Sequence, residues 1–123
     1  MKTKSGKLAA IENEWARLGY RAETLPLLLL APPVQVAWAE GFVQSAERRT
    51  ILRLAADLRI APGSPGYNEL LEWLDHRPSE EFFAETTALL RRWLGTMPEK
   101  RAAKLRNVLL LGCLEVAQAA SSI

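Results

Sequence analysis

Fifteen consecutive residues, Leu25 to Ala39, contain one polar side chain, Gln35, and three prolines. No other stretch constrains the fold so strongly. A membrane span needs about 18 to 20 apolar residues in an unbroken helix, and this run is shorter and interrupted. An element apolar on nearly every side belongs near the centre of a fold. Pro26 suits a first helical turn. The Pro32-Pro33 pair removes two amide donors and is expected to push Ala31 and Pro32 away from helical angles. A short helix is then expected from about Pro33 to Glu40.

Helical periodicity governs the rest of the chain, and strand-type alternation is absent over any useful length. Residues 1–6 are polar and read as a flexible N-terminal segment; residues 7–123 read as a single helical domain. Leu8, Ile11, Trp15 and Leu18 lie on one face of an amphipathic helix from Lys7 to Leu18, with Gly19 as its stop. Gly41 ends the proline-broken segment. Ser45 is the expected N-cap of the next helix, Glu47 its first-turn acid and Arg59 its approximate end. Ser64 followed by Pro65 reads as the cap and first turn of a helix to Asp75. Ser79 caps another helix, striped by Phe82, Phe83, Thr86, Leu89, Leu90, Trp93 and Leu94.

Thr96 to Glu99 matches a capping box ahead of a last helix that reaches about Ala119. Its apolar face runs through Ala102, Leu105, Val108, Leu109, Gly112, Cys113 and Val116. Leu110, Leu111 and Leu114 widen that face beyond a normal stripe. Such a helix is either sandwiched between neighbours or packed on another chain. The pattern predicts an all-α fold, a compact bundle of five to six helices. Leu25–Ala39 and Val108–Val116 are its expected centre, or its contact with a second copy.

Composition narrows the function classes. Of 123 residues, 49% are hydrophobic, enough for a core and too many for a disordered chain. Lys and Arg number 16 against 14 Asp and Glu, so no global field marks a dedicated polyanion binder. The single Cys113 excludes an intramolecular disulfide framework, and the single His76 excludes His-rich metal chemistry. The basic start is followed by Glu12, Asn13, Glu14 and Arg17 rather than an apolar signal region, so a cytoplasmic location is expected. No nucleophile elbow, phosphate loop or dinucleotide fingerprint is present, and no catalytic set is complete.

The segment from Val36 to Leu52, VAWAEGFVQSAERRTIL, resembles the signature of TerB-like proteins, an all-helical family named for bacterial tellurite resistance. That signature is a small-residue helix ending in Ala-Asp-Gly, an aliphatic residue two positions later, then a glutamate opening the next helix. The matching residues here are Ala39, Gly41, Val43, Ser45, Glu47 and Arg48. Gly63-Ser64, Trp73-Leu74 and Arg77-Pro78 are similar to the group as well. The resemblance is densest over residues 25 to 78 and reaches the last helix only as helical pattern. It implies a TerB-like helical bundle acting by binding, with a link to stress response. It also implies divalent-metal binding through acidic residues near the turn. This chain departs from that acidic pattern, with Glu40 where the family has aspartate and Phe42 where a second acid is frequent.

Two candidate metal pairs follow from the residues and carry the alternative expectation of a divalent-metal-binding protein or a metal-dependent enzyme. Placing Gly41 at position 6 of a calcium loop puts Glu40 at position 5 and Glu47 at position 12. Positions 1 and 3 then fall on Val36 and Trp38, which offer no side-chain oxygen. A tight turn, with Val43 in the core and Glu47 capping, explains the same spacing. Glu69, Glu72 and His76 share a helix face if the helix extends that far. A Glu72–His76 pair then offers two ligands, although a histidine at a helix C-terminus also suits the dipole.

Arg91, Arg92, Lys100, Arg101, Lys104 and Arg106 form a local basic run, a candidate contact for an anionic or acidic partner. The cations of the last helix sit in its first half, where positive charge is mildly unfavourable, and a solvated face explains them equally. Nucleic acid is the less favoured partner, because neither base-stacking aromatics nor a groove-reading helix accompanies these cations. The expected partner is another protein or a second copy of the chain.

Overall fold

The computed structural model describes residues 2–120 of the chain, with the side chains of residues 2–5 excepted. Among these residues it is all helical. Six α-helices, α1 (Lys2–Arg17), α2 (Ala31–Ala37), α3 (Ser45–Asp57), α4 (Pro65–Asp75), α5 (Glu80–Leu94) and α6 (Glu99–Ala120), are joined by short turns, and a 3-10 helix spans Ala22–Leu30. α1 begins ahead of the expected Lys7. Met1 and residues 121–123 lie outside the described residues.

The leucine run is the axis of the bundle. A 3-10 helix turns every three residues, so successive side chains point in three directions. Leu25, Leu27, Leu28, Leu29 and Leu30 are all buried, because α1, α2, α3, α4 and α5 each pack against this segment. One structural expectation is overturned here. Ala31 is helical (φ −59°, ψ −47°), and α2 starts at Ala31 rather than Pro33. Both prolines fall in the first turn of α2, where amides have no intrahelical acceptor, so their missing donors cost little. The break lies one residue earlier, where the 3-10 helix passes into α2. That helix ends at Ala37, and Gly41 closes the following turn with φ +91°.

Helix ends follow recognisable capping chemistry. The Gly19 amide donates to the Ala16 carbonyl and the Tyr20 amide to the Trp15 carbonyl, closing α1 with Gly19 at φ +101°. The end of α3 repeats this pattern with Arg59 at φ +62°, a conformation in which a non-glycine residue is strained. Ser64 and Ser79 cap α4 and α5 as expected, their hydroxyls accepting from the Tyr67 and Phe82 amides. Two expected caps shift. Gln44 rather than Ser45 precedes α3, and its amide donates to Glu47 Oε1 at 2.8 Å. The Thr96 hydroxyl donates to the Trp93 carbonyl at 2.6 Å, finishing α5 instead of starting α6.

Indole groups tie the core together at their polar tips. Trp15 Nε1 donates to the Arg21 carbonyl and to Thr24 Oγ1, at 3.1 and 3.0 Å. Trp38 Nε1 donates to the Trp73 carbonyl at 2.8 Å, fastening the end of α2 to α4. Trp73 Nε1 donates to the Tyr20 hydroxyl at 3.0 Å. Tyr20 stacks on Trp15 and meets Trp73 edge-on.

Candidate functional site

α6 packs on α2 and α3 along one side only. Ala102, Gly112 and Val116 are its buried residues. Gly112 marks a close approach: a β-carbon there would stand 3.2 Å from Leu54 Cδ1 and 3.8 Å from Pro33 Cγ. Glu115 forms an ion pair with Arg53 across the same seam. These contacts fix which way the helix turns. Leu110, Leu111 and Leu114 therefore face outward, 62%, 60% and 57% exposed, with Val108 at 40%. The sequence offered a sandwiched helix or a face packed on another chain. The helix is not sandwiched within the described residues, so of the two places expected for Val108–Val116, the bundle centre or a contact with a second copy, the first is not taken.

The outward stripe has an internal order. Ala103, Asn107, Leu110, Leu114 and Ala117 follow one another at spacings of 4, 3, 4 and 3. That is the repeat of a helix that packs lengthwise on another helix. Leu111 and Lys104 flank it. Asn107, exposed within the stripe, was not among the candidates read from sequence. Its spacing signal was present but hidden, because the run Val108–Leu114 that follows it is apolar throughout and shows no single face.

Cations occupy the first half of α6. Lys100, Arg101 and Lys104 are exposed and without an acidic partner among the described residues, whereas Arg106 is ion-paired with Glu99. The arginines of α5 are apart from them in role. Arg92 donates to Glu14 on α1 at 2.6 Å, and this hydrogen bond holds the Glu14 carboxyl below the usual carboxylate range. Arg91 is exposed on the last turn of α5, a helix that packs on α1, α2 and the 3-10 helix.

The acidic candidates are dispersed. Glu40 is exposed on the turn after α2, whereas Glu47 is 3% exposed with its carboxylate accepting from the Gln44 amide. α4 stops at Asp75, and His76 is extended (φ −131°, ψ 114°), so it does not continue the helical face of Glu69 and Glu72. The three-residue face expected if the helix persisted is therefore not formed. The His76 amide donates to the Glu72 carbonyl. Burial, reinforced by the Glu72 charge, pushes the Glu69 carboxyl above its ordinary value. Glu72 and His76 rim an open groove of about 290 Å³ whose floor is Tyr20, Trp73 and Phe82. Among the described residues, no three His, Cys, Asp or Glu side chains gather in a way that holds a metal ion. Cys113 is half-buried on α6, and burial pushes its thiol above the ordinary value, the reverse of what activates a cysteine nucleophile.

No protein-family model, characterised protein or solved structure matches the chain. No helix among the described residues is long and apolar enough to cross a membrane.

Proposed function

We propose that this chain is a non-enzymatic helical binding domain of TerB-like kind, an interaction module whose working surface is the outer face of α6. The observation that carries the reading is the contiguous exposure of Leu110, Leu111 and Leu114. Scattered surface leucines are ordinary; three on one outward face of one helix mark a contact surface. The TerB-like reading draws support from the turn between α2 and α3, where Gly41 adopts the left-handed angle and Glu47 opens the next helix.

A photoreactive benzophenone amino acid at position 111 or 114 tests the reading in living source cells. Both positions are expected to yield a discrete cross-linked adduct, and the same probe at exposed Glu81 on α5 is expected to yield none. Absence of any adduct from 111 and 114 overturns the binding face.

A further inference from the structure

We infer that the occupant of the α6 face is α6 of a second copy of this chain, laid antiparallel across it. This deepens the proposed binding reading and rests on it. The stripe of Ala103, Asn107, Leu110, Leu114 and Ala117 has the 4-3-4-3 spacing that lets two helices interdigitate along their length. Pairing α6 with itself about a two-fold axis that crosses the outward face at the level of residue 112 sets Leu110 against Leu114 of the second copy, twice. Asn107 then meets Ala117 of the other helix, a small residue that leaves room for its amide.

Charge selects the direction. Lys100, Arg101 and Lys104 crowd the N-terminal half of α6 without an acidic partner among the described residues. The C-terminal half beyond Leu105 has Arg106 as its last cation within the helix. In a parallel pair the two basic halves lie side by side and repel. In the antiparallel pair Lys104 lies level with Ala120 of the other copy, where the helix C-terminal carbonyls carry partial negative charge, and the two basic ends stand far apart.

Size sets the strength. With the axis at the level of Gly112, residues 104–120 of the two helices overlap, a length of about 25 Å. Two helices overlapped over that length bury less than the roughly 1,200 Å² at which stable interfaces begin. A weak, reversible dimer follows, rather than an obligate one.

Sedimentation velocity of the purified full chain over a hundredfold concentration range tests the inference. A reversible monomer–dimer equilibrium is expected. The double variant Leu110→Glu/Leu114→Glu is expected to remain monomeric throughout, with its unfolding curve at low concentration unchanged. Leu110→Gln/Leu114→Gln gives the same readout if the charged variant fails to fold. Direction is read by oxidation in a Cys113→Ala background. Asn107→Cys mixed with Ala117→Cys is expected to form a disulfide-linked dimer, and either variant alone is not, because like positions stand about 15 Å apart. Self-linking of Asn107→Cys alone overturns the antiparallel arrangement. A monomer up to 1 mM overturns self-pairing. If the benzophenone probe at 111 still captures a partner of another mass, the binding face survives that failure; if it captures nothing, both readings fall.

Discussion

Two segments of this chain are greasy on more than one side, and the fold treats them oppositely. Leu25–Ala37 is enclosed, with Leu28 and Val34 fully buried, whereas the middle of α6 leaves three leucines more than half exposed. The difference is one of neighbours rather than hydrophobicity. The 3-10 helix and α2 are met by α1, α3, α4, α5 and α6, while among the described residues α6 is met chiefly by α2 and α3. An apolar run becomes core only when enough amphipathic helices remain to cover it. This chain spends its amphipathic faces on the first segment and has none left for the second.

The comparison breaks most readily at its buried end. Leu28→Ala is expected to lower the unfolding free energy by about 2–5 kcal/mol in urea denaturation, since a fully buried leucine leaves a cavity. Leu111→Ala, measured where the chain is monomeric, is expected to stay within about 0.5 kcal/mol of the parent. Equal losses at the two sites would erase the contrast. Trp38→Phe keeps the apolar bulk of the buried segment but orphans the Trp73 carbonyl, and is expected to cost about 1–3 kcal/mol by the same assay. Gly112→Leu sharpens the other end. A side chain forced against Leu54 and Pro33 is expected to cost about 1–3 kcal/mol and to reduce hydrogen-exchange protection along α6 while sparing α1 and α5.

The smallest expected effect belongs to the exposed Glu14–Arg92 pair joining α1 to α5. The folded chain lowers the Glu14 pKa, so the pair's contribution is present above the ordinary carboxylate value and is lost as pH falls through the depressed one. Glu14→Gln is therefore expected to differ slightly from the parent at neutral pH. That difference should shrink in high salt and vanish in acid, as followed by thermal unfolding.

Much of the fold was legible because local chemistry and tertiary contacts agree. Ser64-Pro65 and Ser79 start α4 and α5 where their side chains reach the orphan amides, and the stripe from Phe82 to Leu94 lies against the core. The misread places are those where two local solutions compete. Gln44 and Ser45 compete to cap α3, and the cap falls on Gln44, whose amide meets Glu47 while Ser45 becomes the first helical residue. Thr96 has a choice between closing α5 and opening α6, and the nearer Trp93 carbonyl wins. The proline pair reads as a helix breaker unless it is known to occupy a first turn. The candidate face on α6 was legible only as excess. Leu110, Leu111 and Leu114 announce themselves as surplus apolar residues, but no spacing within one helix tells which side its neighbours take. Gly112 supplies that information in three dimensions, by marking where α6 touches Leu54. The acidic candidates failed to converge for a comparable reason: Glu47 and Glu72 are near in pattern to other ligands, but their helices point them to a cap and to an open groove.

On this reading the leucines of α6 face solvent in the single chain and become covered on association. Methyl NMR with a soluble paramagnetic probe reads this directly. At a concentration where the chain is monomeric, the methyls of Leu110, Leu111 and Leu114 are predicted to broaden strongly, and those of Leu27, Leu28 and Leu30 to remain sharp. Raising the protein concentration is predicted to protect the first group and leave the second unchanged. Sharp α6 methyls in the dilute monomer, or broadening that persists undiminished at the highest concentration, would contradict the account.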